Sequence, residues 1–148
     1  MSDHNSSKCS SICNNITCLE KQNEYTHFDS AKSKIILYMT PGALITGVLA
    51  YSRYKYVQAY AEFAVFFMSV LHWHDPKFGW RRNLDMITVQ LSLWTHICLF
   101  YQSGCFPAFI LMMIALGCFY LSLSKKSFIM HGLGWITSCS SNIVLAYW

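Results

Sequence analysis

Four side chains able to hold or pass a proton fall inside or beside apolar stretches of this chain: Glu62, His72, Asp85 and His96. An ionisable group is costly in hydrocarbon, so each one is a functional candidate by default: a proton relay, an ion path or a buried counter-charge. Glu62 and His72 lie on the run Tyr56–Trp73, and Asp85 and His96 on the run Leu84–Tyr101, with the polar turn His74 to Asn83 between them. Runs joined this closely pack as antiparallel neighbours. In such a pair, residues at equal depth have numbers with a constant sum, and Glu62–His96 and His72–Asp85 satisfy one register to within a residue. That register also brings Ser69 opposite Thr88 or Val89.

Helical faces agree with the pairing. Glu62, Ser69 and His72 fall within an arc of about 80°, and Asp85, Ser92 and His96 within about 40°. The expectation is a polar seam of Glu62, His96, Ser69, His72 and Asp85, with Glu62–His96 about 9 Å from the outer edge of the hydrocarbon. Each acid–imidazole pair offsets part of its own desolvation cost. Contacts of this kind contribute about 0.6 kcal/mol on average, so they can fix register without any chemistry. A structural seam is the favoured reading; a small proton or ion conductor using Glu62 and His96 is the alternative.

A third possibility uses His72, Asp85 and His131, which fall toward one end of the chain's apolar segments, with Ser69 one turn from His72. Such a set could hold Zn²⁺, which takes three protein ligands and a water. The Ser/His/Asp content resembles that of intramembrane ceramidase-like hydrolases, and the resemblance implies a metal-dependent lipid hydrolase. Those enzymes carry H-x3-H on a late helix and seven spans, whereas this chain has a single His there and five apolar runs. No H-E-x2-H, G-x-S-x-G, Walker or dinucleotide motif occurs. The expectation therefore leans away from an enzyme without deciding the question, with no cofactor; zinc enters only under the hydrolase alternative.

The elements that must position these residues are apolar helices. Hydrophobic residues make up 54% of the 148 and charged ones 12%, about half the charged share of a soluble domain. The runs are 35–52, 56–73, 84–101, 106–124 and 128–148, each close to the ~20 residues that cross a bilayer. They are too long for barrel strands. The fold expected is all-α: a five-helix transmembrane bundle over 34–148 behind a polar tail, 1–33, with no packed core of its own.

Pro41-Gly42 predicts a kink in the first run, and Ala43 with Gly47 forms a small-xxx-small pair for close helix contact. Pro107 opens the fourth run, where its missing N–H costs nothing. The last run carries a stripe of His131, Gly134, Ser138 and Asn142, with Thr137 and Ser141 alongside, suited to packing on a helix or lining a wet cavity. Trp73, Trp80, Arg81 and Arg82 around the 74–83 turn read as an interfacial anchor. Arg82 and Asp85, three apart at a helix start, suit a salt bridge.

Sidedness follows from the basic residues. Lys32, Lys34, Lys77, Arg81, Arg82, Lys125 and Lys126 share one side of a five-span arrangement, against Arg53 and Lys55 on the other. The positive-inside rule puts the N-terminus in the cytoplasm and Trp148 across the membrane, which leaves the sequons at Asn5 and Asn15 idle. The tail thiols Cys9, Cys13 and Cys18 lack zinc-ribbon spacing, and seven cysteines in all give no disulfide scaffold. Basic residues form no continuous patch, which excludes nucleic acid as the expected partner. The partners expected are the lipid bilayer and other membrane proteins or further copies of the chain.

The block S-x2-H-W-x2-P-x4-R-R-N-x-D, here Ser69, His72, Trp73, Pro76, Arg81, Arg82, Asn83 and Asp85, resembles a pattern in small multi-pass membrane proteins of large DNA viruses of algae and protists. It spans about 20 residues. The resemblance implies a viral component of a host or virion membrane and carries no catalytic role to any residue.

Overall fold

The computed structural model describes residues 30–75 and 79–148, with side chains from Ser33 onward. The tail residues Asn5, Cys9, Cys13, Asn15 and Cys18, and Pro76 and Lys77 of the turn, lie outside the described residues. Among the described residues there is no strand. The order is α1 (Ser30–Met39), α2 (Pro41–Ser52), α3 (Tyr56–His74), α4 (Trp80–Ser103), α5 (Phe106–Lys125) and α6 (Phe128–Tyr147). The five apolar runs thus become five helical rods, the first broken in two, and helix already begins at Ser30 within the stretch assigned to the tail.

The break sits at Thr40. Pro41 has no N–H, and its ring crowds the carbonyl four residues back, at Leu37. That carbonyl accepts instead from the Thr40 hydroxyl at 2.8 Å and from the Thr40 N–H at 3.2 Å, so the bend leaves it satisfied. At the other helix start, α4 begins four residues earlier than its apolar run. Trp80 to Asn83 form its first turn, with the Asn83 N–H bonded to the Gly79 carbonyl at 3.1 Å. α4 ends at Gly104, whose φ of 67° is the left-handed conformation that glycine adopts without strain.

Consecutive rods run antiparallel. α5 lies along α6, α2 along α3 and α3 along α4; α6 also packs against α2, while α4 meets α5 only slightly. At one end the Trp148 indole N–H donates to the Ser103 carbonyl at 3.0 Å, and the Arg53 guanidinium sits 4.2 Å over the Tyr147 ring. At the opposite end Ile36, Trp73 and Phe128 pack together. Arg53 and Lys55 therefore share the first end, and Lys34, Arg81, Arg82, Lys125 and Lys126 the second.

The distribution of side chains is inverted relative to a water-soluble domain. Thirteen polar or charged residues are buried among those described, against fourteen apolar ones, of which six are alanine. Among the described residues thirty-two large hydrophobic ones are exposed, including Ile87, Leu91 and Trp94 on α4 and Ile110, Met113, Ile114 and Leu123 on α5. Two of the rods, Ser33–Ser52 and Phe106–Lys125, are long and apolar enough to cross a membrane.

Small residues set the helix separations. A Cβ at Gly47 would stand 2.7 Å from the Phe63 ring and 3.2 Å from Glu62 Cβ, so α2 approaches α3 with glycine at the contact. Gly117 on α5 has nothing within 4 Å of that position. Gly47→Leu is therefore expected to destabilise the protein by about 1–3 kcal/mol through overpacking. Gly117→Ala should be neutral or stabilising by up to ~1 kcal/mol through helix propensity. Thermal unfolding of both variants in detergent measures the contrast, and equal effects would contradict this packing.

Candidate functional site

Glu62 is the centre of the polar interior. It is 4% exposed, and three side chains from three other helices converge on its carboxylate. Oε1 accepts from Asn142 Nδ2 of α6 at 2.6 Å and lies 3.1 Å from His96 Nε2 of α4. Oε2 accepts from the Thr46 hydroxyl of α2 at 2.9 Å. One carboxylate therefore ties α2, α3, α4 and α6 together. Every group within bonding distance of it is a donor or can be one, as a buried carboxylate requires.

The imidazole is held from behind. His96 Nδ1 lies 2.7 Å from the Ser92 carbonyl and 3.3 Å from the Ser92 hydroxyl. A carbonyl can only accept, so Nδ1 carries a hydrogen. That leaves Nε2 toward Glu62, near enough for an ion pair though off line for a straight hydrogen bond. A bare Nε2 lone pair beside a bare carboxylate would repel in a dry interior. A hydrogen on Nε2 or on the acid would remove that repulsion.

The structure brings Glu62 and His96 together, but by leaning rather than by level stacking. Ser69 Oγ donates to Asp85 Oδ1 at 2.7 Å, and that bond differs in register from Glu62–His96 by four residues, one helical turn. Helical side chains tilt toward their own N-terminus, so in an antiparallel pair Glu62 and His96 reach toward each other across that turn. The short Ser69 side chain cannot lean so far and meets Asp85 almost level. This corrects two expectations: Ser69 faces Asp85 rather than Thr88 or Val89, and Asp85 bonds Ser69 rather than His72.

His72 is 3% exposed and packs in tilted fashion on Trp73, with ring centroids 4.7 Å apart. Its Nδ1 has no hydrogen-bond partner. His131 Nε2 accepts from the Trp135 indole at 3.2 Å, and its Nδ1 lies 3.5 Å from the Ser122 hydroxyl. Among the described residues no three His, Cys, Asp or Glu side chains form a group that could hold a metal ion, so the structure does not assemble His72, Asp85 and His131 as ligands. Cys98, Cys105, Cys118 and Cys139 are free thiols.

Of the anchor residues, Trp80 is 62% exposed and Arg81 reaches back over it and to Asp75, with the guanidinium nitrogen 3.7 Å from the carboxylate. Trp73 departs from the expectation. It is buried against Ile36 and Phe128, because α1 folds over that face of α3.

Three residues of the site carried little sequence signal. Gln58 is buried and donates through Nε2 to the Asn142 carbonyl at 2.8 Å. Its position one turn before Glu62 was the available clue. Thr46 sits beside Gly47, between two small residues that marked a contact but not a polar one. Asn142 stood in the polar stripe of the last run with no partner to be named.

Compared with protein-family models, with curated proteins and with solved structures, the chain matches none.

Removing one member of a buried pair leaves the other uncompensated, at about 3–5 kcal/mol. Glu62→Leu should therefore destabilise far more than Ser69→Ala, whose lost bond is worth roughly 1 kcal/mol. A double-mutant cycle of Glu62→Gln and His96→Gln should give a coupling of about 0.5–3 kcal/mol by thermal or denaturant unfolding. A coupling of zero would mean that the two side chains do not interact.

Proposed function

We propose that this chain is an integral, multi-pass membrane protein whose five rods all cross the bilayer and whose Glu62 site is a structural lock rather than a catalytic centre. The observation that carries the reading is the inverted distribution of side chains: polar groups meet inside while large apolar residues cover the outside. In water, so much contiguous apolar surface would drive association, whereas in lipid it is the required exterior. Rods that would be too polar to insert as isolated helices are acceptable when their Glu, His and Asp side chains face one another.

In this reading the end bearing Lys34, Arg81, Arg82, Lys125 and Lys126 is cytoplasmic and the C-terminus lies across the membrane. The partner is the bilayer itself. The resemblance of the 69–85 block makes a virus-encoded component of a host or virion membrane the proposed setting. Among the described residues His72, Asp85 and His131 do not come together as a ligand set, so the hydrolase alternative draws no support from them. The conductor alternative has the same Glu62–His96 pair as its carrier.

Two measurements test the proposal. After alkaline carbonate extraction the protein should stay in the membrane pellet, and release into the supernatant would contradict it. Reconstituted liposomes should show no more proton flux than empty ones. A flux that Glu62→Gln abolishes would replace the lock with the conductor.

A further inference from the structure

Gln90 breaks the apolar exterior of α4. It is exposed, and it stands ten residues after Trp80 and thirteen before Ser103. Those spacings put it about 15 Å and about 20 Å from the two ends of the helix, too far for its short side chain to carry the amide to either interface. Among the described residues nothing bonds that amide. The hydroxyls on the outside of the rods are settled differently. Thr95, Thr137 and Ser140 each donate to a carbonyl one turn back on their own helix, at Leu91, Leu133 and Ile136. Hydrocarbon offers neither donor nor acceptor, so on the membrane reading, on which this inference rests, the Gln90 amide needs a polar partner from outside the chain.

The surroundings of the amide narrow that partner. Asn83, Ile87, Trp94 and Tyr101 are exposed on the same stripe of α4, within an arc of about 60°. The stripe points about 120–160° away from the buried Asp85, Ser92 and His96. α4 packs on α3 and touches α5 only slightly, so the stripe stays open along the helix. None of its five residues is charged, which leaves a charged partner without a match. Two amides seven residues apart among large apolar side chains follow the heptad by which buried polar residues set the register of paired helices.

We infer that two copies of the chain join along this face, α4 against α4, with the two Gln90 amides hydrogen-bonded to each other across a two-fold axis. A primary amide carries both N–H donors and a carbonyl acceptor, so it is complementary to itself. Copies of one chain enter the membrane in one orientation, which makes their α4 helices parallel and brings equal residues to equal depth. The contact is therefore isologous: Gln90 meets Gln90, and Asn83 meets Asn83 one heptad earlier. A second copy is the partner that places an amide at the required depth by symmetry alone. Ile87 and Trp94 flank the amides and close them off from lipid.

The test uses the full chain, first by sedimentation equilibrium in density-matched micelles. A monomer–dimer equilibrium is expected, and Gln90→Leu should weaken it roughly 10-fold, the scale of an interhelical polar contact in model membrane peptides. Gln90→Asn, which keeps the amide, should associate more tightly than Gln90→Leu. Both changes lie on the exposed face, so the thermal midpoint of the monomer should hold, and it reports whether each variant folds. A photo-reactive residue at Trp94 in the membrane should give a product of twice the chain's mass, whereas one at the exposed Ile114 of α5 should not. A monomer at every concentration, equal association of Gln90→Leu and the unsubstituted chain, or cross-linking from Trp94 only to lipid or to a different protein would overturn the inference. A monomer that still resists carbonate extraction sinks the dimer alone, while release by carbonate removes the membrane reading with it.

Discussion

A carboxylate removed from water must be met by donors, and that requirement governs this fold. Glu62 accepts from Thr46 of α2 and Asn142 of α6 and lies 3.1 Å from His96 Nε2 of α4. Interhelical apolar packing alone gives little preference for one arrangement over another in lipid, since acyl chains are as apolar as leucine. A buried acid does give a preference. Any rearrangement that separates Glu62 from His96, Asn142 or Thr46 leaves a polar group unmatched, at a cost several times that of a misplaced apolar contact. The rest of the packing follows from how near the helices must come to meet that demand, which is why Gly47 stands at the α2–α3 contact.

The polar groups are also graded along the bundle. Glu62 and His96 meet at the centre, with Ser92 bracing the imidazole from behind. Two to three turns away, the Ser69 hydroxyl donates to Asp85 near the start of α4. Beyond them His72, Trp73 and His131 form an aromatic layer closed by Ile36 and Phe128. α4 takes part in all of this through one face only, while its opposite face carries Ile87, Leu91 and Trp94 outward. It is held mainly by α3, so the seam between those two helices is what keeps it in the bundle.

Much of this was legible in the residues. Apolar run lengths located the rods to within a few positions, and helical periodicity placed Glu62, Ser69, His72, Asp85, Ser92 and His96 on inward faces, where all six are buried. The pairing register was legible only to about one turn, because level matching ignores the tilt of side chains toward their helix N-termini. Long residues absorb that tilt and Ser69 does not. The contributions of Thr46, Gln58 and Asn142 were hidden for a different reason. They depend on α2 and α6 lying beside α3, and linear spacing within one helix carries no information about a non-consecutive neighbour. Trp73 shows the same limit, since α1 covers it from outside the hairpin.

The most direct test of the central claim is a magic-angle-spinning NMR measurement of the distance between ¹⁵N-labelled His96 Nε2 and the ¹³C-labelled side-chain carboxyl of Glu62, with the protein in lipid bilayers. The structure requires the imidazole nitrogen to lie beside a carboxylate oxygen, at 3.1 Å, and so requires a strong dipolar contact between the two labels. Absence of that contact in folded, bilayer-embedded protein would show that the acid and the imidazole do not meet, and the proposed lock at the centre of the bundle would be wrong.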